Sequence, residues 1–353
     1  MNLIQVSPRY PPSTGGIERH VREISERLAD AGHSVTVVTM GDTWRTVQEE
    51  RNGVSIVRLP GIAPGNGYHV VPAVMTTVRR RQPDLVHAHG YHSFPLLFAW
   101  VAAIRHVPFV ATPHYLGPAS GGRRILHGVY RPVGRLPLQY ADECIAVSEW
   151  EHQALRDSFG IDASVIPNGI DVDRYANADP DHPSEPYIIS ASRLVKSKGV
   201  QYLIKALDEI PDIRLKITGT GPYKDELKRL ARNVGIASRV DFLGYVSEDR
   251  LARLYAGAAV HVTLSDFECY GLTVGESLAA GTPVVVHDVT ALSEWTDASG
   301  CLGVQKRDPK TVAAAIRAAI GIRTDPSELT TWNEVVERLL DDVYSPRLDE
   351  IRQ

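Results

Sequence analysis

The chain is poor in cysteine, in charge of one sign and in long apolar runs. Its three cysteines, Cys144, Cys269 and Cys301, show neither paired nor metal-ligand spacing. A disulfide framework is therefore excluded and a reducing compartment is expected. The most apolar run, Phe94 to Ile104, stops at Arg105 after about half the length a bilayer-spanning helix needs. No basic n-region marks the opening MNLIQVSPRYPP, which reads as a strand and a loop. The expectation is a cytoplasmic protein whose only membrane contact would be peripheral, at the inner face. A net charge of −4 gives no case for nucleic-acid binding and is too mild for a strongly acidic, salt-adapted surface. Internal repeats and low-complexity segments are missing. So is any H-E-x-x-H or other metal-ligand spacing among the thirteen histidines, and no metal is expected. Lysine is absent from residues 1–170, which carry 16 Arg and 14 acidic residues, whereas the remainder carries 22 basic and 28 acidic residues. A faintly basic first half fits one that meets an anionic surface or substrate.

What is present is ordinary in bulk and regular in pattern. Apolar content of 43% and charged content of 23% suit a soluble globular protein, and 353 residues suit two domains. Strand and helix patterns alternate, the mark of parallel sheets with crossover helices. Strands are expected at 3–6, 34–39, 85–88, 109–112, 143–146 and 164–166. A helix over 17–31 is closed by Gly32. Residues 167–186, PNGIDVDRYANADPDHPSEP, lack periodicity and read as a linker. A second set has strands at 187–190, 214–218, 240–243, 260–264 and 283–287, with helices at 200–207, 224–234 and 248–255. The stretch LTTWNEVVERLLDDVYSPRLDEI is helical and amphipathic. The expected organisation is an N-terminal domain over 1–168, a linker over 169–186, a second domain over 187–330 and a last helix over about 331–353.

The run SDFECYGLTVGESLAAGTPVVV carries the densest chemistry. A buried strand ends before Ser265-Asp266-Phe267-Glu268, and a helix pattern begins near Leu272 and stops at Gly281. Glu268 thus lies at a strand's carboxyl end and Glu276 about one turn inside the following helix. In an open α/β sheet this edge is where ligands bind. Free N–H groups near Gly271, Leu272 and Thr273 suit an anion such as a diphosphate. Paired carboxylates beside an anion site accept hydrogen bonds from sugar and ribose hydroxyls. Arg193 and Lys198, in SASRLVKSKGV, follow another strand at the same edge and suit the same anion through charge-assisted bonds. Gly15-Gly16 precede the first helix, where small residues let backbone approach a ligand and adopt positive φ. They do not form G-x-G-x-x-G, so no dinucleotide cofactor is indicated.

The Glu268-to-Glu276 run, with the pattern around it, resembles the Glu-x7-Glu signature of the retaining glycosyltransferases of family 4, over nearly the whole chain. The resemblance implies the GT-B fold: two Rossmann-like α/β domains facing across a cleft, with the last helix crossing back to the first domain through Trp332 and Tyr344. It implies transfer of a sugar from a nucleotide-diphosphate sugar to a glycan or lipid-linked hydroxyl acceptor, the donor being a substrate rather than a cofactor. In the family, residues matching Arg193 and Lys198 hold the leaving diphosphate, and one matching His114 contacts the donor sugar. The loop of Gly15 and Gly16 places acceptor and donor phosphate. The Gly219 turn lies near the nucleotide, and backbone near Val246 meets the base. Glu268 is assigned to sugar hydroxyls, Glu276 to the ribose. Cys269-Tyr270 depart from the commoner small-aromatic pair, which bears on the choice of donor sugar.

His87 and His89 are placed near the cleft edge as acceptor contacts, and His33 and His106 at solvent positions. Asp171-Val172-Asp173 is a DxD triplet of the kind that binds metal in the other large glycosyltransferase fold. It lies in the linker, away from a strand end, and is declined. The acid-free stretch Tyr115 to Tyr140 sets Arg123, Arg124, Arg131 and Arg135 among apolar residues. It fits either anionic lipid or a cationic wall beside the acceptor. Two rival functions are a GT-B sugar-nucleotide epimerase and a catalytically silent sugar-nucleotide-binding partner.

Overall fold

The protein is described from a computed structural model over residues 1–63, 68–104, 107–117, 123–181 and 185–352. The chain forms two compact units. One comprises Met1–Asn168 with the chain from Trp332 onward, the other Gly169–Thr331. His106 falls outside the described residues.

The N-terminal unit runs β1 (Asn2–Val6), α1 (Gly16–Asp30), β2 (Ser34–Met40), β3 (Val47–Arg51), β4 (Val54–Leu59), α2 (Ala73–Arg81), β5 (Leu85–His89), α3 (Phe94–Ala103), β6 (Phe109–Thr112), α4 (Arg123–Gln139), β7 (Glu143–Ala146), α5 (Glu149–Phe159) and β8 (Ser164–Val165). Its sheet has the order β3-β4-β2-β1-β5-β6-β7-β8. All pairings are parallel except β3 with β4. The strands are apolar because helices cover the sheet: Leu3, Ile4, Val6, Val86 and Ala88 have no exposed surface. The β3–β4 hairpin adds two strands to those expected. It turns at Asn52-Gly53, with φ of 49° and 73°, the positive pair that a two-residue hairpin turn requires.

The last helix belongs to this unit. It runs through α12 (Trp332–Arg338), a π turn at Leu339–Tyr344 and α13 (Ser345–Arg352). Trp332 and Tyr344 are fully buried. The Tyr344 hydroxyl lies 2.7 Å from His87 Nδ1 and accepts from Gln5 Nε2 at 3.2 Å. This polar pairing satisfies a tyrosine tip in an apolar interior.

The second unit runs α6 (Val172–Ala176), β9 (Tyr187–Ala191), α7 (Val200–Leu207), β10 (Arg214–Thr218), α8 (Lys224–Val234), β11 (Val240–Gly244), α9 (Glu248–Ala256), β12 (Val260–Thr263), α10 (Leu272–Ala279), β13 (Val284–His287), β14 (Cys301–Val304) and α11 (Pro309–Ala319). The parallel sheet has the order β11-β10-β9-β12-β13-β14. The segment expected as a linker, 169–186, contains a short helix. Its residues Val172–Ala176 are helical, Tyr175 is fully buried, and Arg174 bonds Asp171 at 3.0 Å and Glu248 at 2.5 Å. Asp171 of the DxD triplet is thus held in an ion pair beside a helix.

Candidate functional site

In the second unit the chain moves outward from β9 through β10 to β11, then returns to β12 on the other side of β9 and continues outward. The β9/β12 boundary is therefore the topological switch point, where connections leave in opposite directions and open a crevice at the strands' carboxyl ends. Arg193 and Lys198 follow β9, and Glu268 and α10 follow β12. Lys198 Nζ meets Glu268 Oε1 at 2.5 Å, and both side chains keep about a fifth of their surface exposed. Arg193 is exposed beside them in sequence. Gly271 starts α10 at φ 99°. Val274 N–H returns to the Gly271 carbonyl at 2.8 Å, leaving the N–H groups of Leu272 and Thr273 ahead of the helical ladder. Glu276 is buried inside α10. A cation pair, a carboxylate and a helix N-terminus together suit a diphosphate carrying hydroxyl-bearing groups.

Glycines let the loops close up. Gly199 has φ 73°, and a Cβ there would stand 2.0 Å from the Leu264 carbonyl oxygen; at Gly219, φ 105°, it would stand 2.0 Å from that of Ser192. Gly219 thereby brings the loop after β10 against the Arg193 loop, where Leu194 N–H donates to the Thr220 carbonyl at 2.8 Å. Val246 lies beyond the edge strand β11, with its side chain packed into the apolar cluster.

Three residues that sequence reasoning did not find set this edge. Arg307, past β14, pairs with Asp266 at 2.6 Å, donates to the Leu264 carbonyl at 3.0 Å and lies 4.2 Å over the Tyr202 ring. His287, ending β13, bonds the Ser265 carbonyl at 3.0 Å, and Thr290 Oγ1 accepts from Glu268 N–H at 3.3 Å. Asp266 N–H also donates to the Ser197 carbonyl at 2.8 Å, joining the Lys198 loop to the Glu268 loop.

In the N-terminal unit the corresponding sheet edge is filled by histidines. His87 and His89 are fully buried, so their placement at a cleft edge is corrected. His87 is held between Tyr344 and Thr112, each 2.7 Å away. His89 Nε2 is 2.8 Å from Gln5 Oε1, and His20 Nδ1 is 2.6 Å from Asn168 Oδ1. His114 is nearly buried at φ 48°, with its ring 4.7 Å from that of His20. Burial lowers the pKa of His20 to about 4 and those of His87, His89 and His114 well below the ordinary range, which keeps all four neutral. The His114 loop is fixed by Glu151, a buried carboxylate that accepts from the N–H groups of Tyr115 and Val147. Burial, opposed by those two bonds, pushes its pKa up to about 7.

Gly15 and Gly16 do not take up positive φ. Gly15 is extended at φ 168°, and Gly16 is absent from the left-handed region. A Cβ at Gly16 would meet nothing within 4 Å and the nearest atoms to one at Gly15 belong to the flexible end of Glu18, so packing among the described residues does not demand glycine at either position. In α4, Arg131 and Arg135 are exposed, as are Val133, Leu136 and the following Tyr140. The side chains of Arg123 and Arg124 lie outside the described residues. Among the described residues no helix is long and apolar enough to cross a membrane.

Known proteins match at both levels. Residues 14–174 match the family described as Glycosyltransferase Family 4, and residues 173–331 match Glycosyl transferases group 1. The chain is 30% identical to the glycogen synthase of Mycobacterium tuberculosis over 364 residues, covering 91% of this chain and 86% of that protein. It is 27% identical to the alpha-monoglucosyldiacylglycerol synthase of Streptococcus pneumoniae, covering 93% and 80%. Among solved structures, the sucrose-phosphate synthase of Thermosynechococcus elongatus superposes with a TM-score of 0.75 at 21% identity, covering 100% of this chain and 98% of that one. HepE from Anabaena in complex with UDP-glucose gives 0.74 at 20% identity, covering 99% of each.

Proposed function

The chain belongs to glycosyltransferase family 4, has the GT-B fold and transfers a sugar from a nucleotide sugar; from that premise we propose which residues do so. The observation that carries the reading is the Lys198–Glu268 pair at the β9/β12 switch point, with Glu268 in the loop that leads into α10. Arg193 and Lys198 take the two phosphates of the donor, with the N–H groups of Leu272 and Thr273 completing the anion site. Glu268 leaves Lys198 to accept hydroxyls of the sugar, and Glu276 serves the ribose. The backbone at Gly219 and Val246 borders the nucleotide. For the N-terminal unit, Gly15, Gly16 and His114 keep the roles the family resemblance implies.

The step is a displacement with retention. The bond from the anomeric carbon to the diphosphate oxygen breaks, and the acceptor oxygen bonds that carbon on the same face. The acceptor proton passes to the departing diphosphate, which leaves with the electron pair. Two cations and a helix N-terminus stabilise the charge that develops on it, the type of contribution worth about 10²–10³ in rate for one donor. The acceptor is a hydroxyl on a glycan or lipid-linked molecule. The exposed arginines and apolar side chains of α4 support a peripheral approach to anionic lipid.

The test is release of nucleoside diphosphate from a panel of UDP-, GDP- and ADP-sugars, with and without hydroxyl acceptors. At least one donor should turn over. Because the cations already neutralise the diphosphate, removing Mg²⁺ and Mn²⁺ should leave the rate unchanged. Turnover that stops on their removal and returns when either is added would contradict this reading.

A further inference from the structure

We propose that His20, His89 and His114 form a binding site for a divalent transition-metal ion of the zinc class. The site lies wholly within the N-terminal unit and shares His114 with the donor reading above. A ligand nitrogen from each of the three rings lies within 4.8 Å of the other two, and all three residues are buried. Tetrahedral zinc with Zn–N bonds of ~2.0–2.1 Å sets its ligand nitrogens ~3.3 Å apart, inside the 4.8 Å limit that the three nitrogens meet. The nitrogens left over after hydrogen bonding point to the same conclusion. His20 Nε2, His89 Nδ1 and His114 Nε2 have no hydrogen-bond partner among the described residues. Buried polar atoms are almost always satisfied, and three unsatisfied ones in a single cluster need a cause.

The tautomers supply it. His20 Nδ1 faces Asn168 Oδ1 and His89 Nε2 faces Gln5 Oε1. A carbonyl oxygen only accepts, so each of those nitrogens carries the proton. His20 Nε2 and His89 Nδ1 are then bare lone pairs without a hydrogen-bond partner among the described residues. A carbonyl behind these two imidazoles is also the arrangement that orients ligating histidines. The ring of Trp332, 5.7 Å from that of His20, closes one side. Three neutral imidazoles without a carboxylate suit zinc, cobalt, nickel or copper rather than magnesium or calcium. Three protein ligands leave a fourth position for solvent or an anionic oxygen. The ligands come from α1, β5 and the loop after β6, so a bound ion ties together elements far apart in the chain. That separation is why no motif spacing disclosed the site.

Tag-free protein, stripped by chelator and shown to be folded by circular dichroism, is titrated with Zn²⁺ and with Co²⁺. The expected result is one equivalent bound, a visible Co²⁺ absorption of tetrahedral intensity and a raised Tm. His20→Asn and His89→Ala should each abolish the absorption, and His33→Ala should keep it. If the folded wild type takes up no stoichiometric ion, or if both ligand variants bind as well as wild type, the proposal is overturned and the cluster holds a water only. Should the variants fail to fold, the wild-type Co²⁺ spectrum alone decides.

Discussion

The two units carry the same kind of sheet and treat its carboxyl edge in opposite ways. At the β1/β5 switch point of the first, a cluster of buried, neutral imidazoles is held by Gln5, Thr112, Asn168 and Tyr344. At the β9/β12 switch point of the second, they are part-exposed full charges, Lys198 against Glu268 and Arg307 against Asp266. A buried edge fixes geometry, since each orphaned group there costs about 1–3 kcal/mol. A part-exposed charged edge can exchange its internal partner for an anionic ligand at little cost, because exposed ion pairs contribute about 0–1 kcal/mol. The shared topology dictates where a site lies, and desolvation decides what kind of site it is.

The strongest way to break this comparison is to remove the charge. Arg193→Ala and Lys198→Ala should each lower kcat by roughly 10²–10³, as does loss of one transition-state donor elsewhere. Near-wild-type turnover in both folded variants would show the charged edge to be ordinary surface. Next is the close approach that builds it. Gly199→Ala must fit a Cβ at positive φ against the Leu264 carbonyl and should cost about 2–3 kcal/mol in urea unfolding. Gly281→Ala, with positive φ but open space, should cost about 1–2 kcal/mol. Equal losses would mean that the loop contact is slack.

Acid sharpens the comparison from within the second unit. His261 on β12 is fully buried, and neither ring nitrogen has a partner among the described residues. Burial lowers its pKa to about 3 from an ordinary 6.5. The folded pKa is depressed, so the stability it permits is present above pH 6.5 and is lost as pH falls from there towards 3. The slope approaches about 1.4 kcal/mol per pH unit. His261→Leu should flatten that part of the pH profile, read by hydrogen exchange in β12. An unchanged slope would locate the acid sensitivity elsewhere. The smallest effect expected is at α4. Arg131→Gln and Arg135→Gln should each weaken flotation with anionic vesicles by about 1 kcal/mol, and wild type that never floats would leave α4 without a lipid role.

Much of the architecture could be read from pattern. Helices Val200–Leu207 and Lys224–Val234 match their expected bounds, because each is an apolar stripe closed by a glycine or polar turn. The Asn52-Gly53 hairpin was not among the expected elements, because β3 is exposed throughout and no apolar alternation announces it. Helix Val172–Ala176 was hidden in a run dominated by Asp, Asn and Pro, its one core anchor being Tyr175. At the second unit's edge, Lys198 and Glu268 sit in motifs with local spacing. Arg307 does not: it reaches Asp266 and Leu264 from past β14 through tertiary packing alone. The histidine cluster is hidden for the same reason, its members being brought together by three different elements.

The most direct measurement is a calorimetric titration of UDP, GDP, ADP and inorganic pyrophosphate into the wild type and into the Arg193→Ala/Lys198→Ala double variant. The account predicts that at least one nucleoside diphosphate binds the wild type and loses at least about tenfold in affinity in the variant, with each charge-assisted contact worth roughly 1.5–3 kcal/mol. Equal affinity in the two proteins, with the variant folded, would contradict the assignment of the β9/β12 edge to the diphosphate.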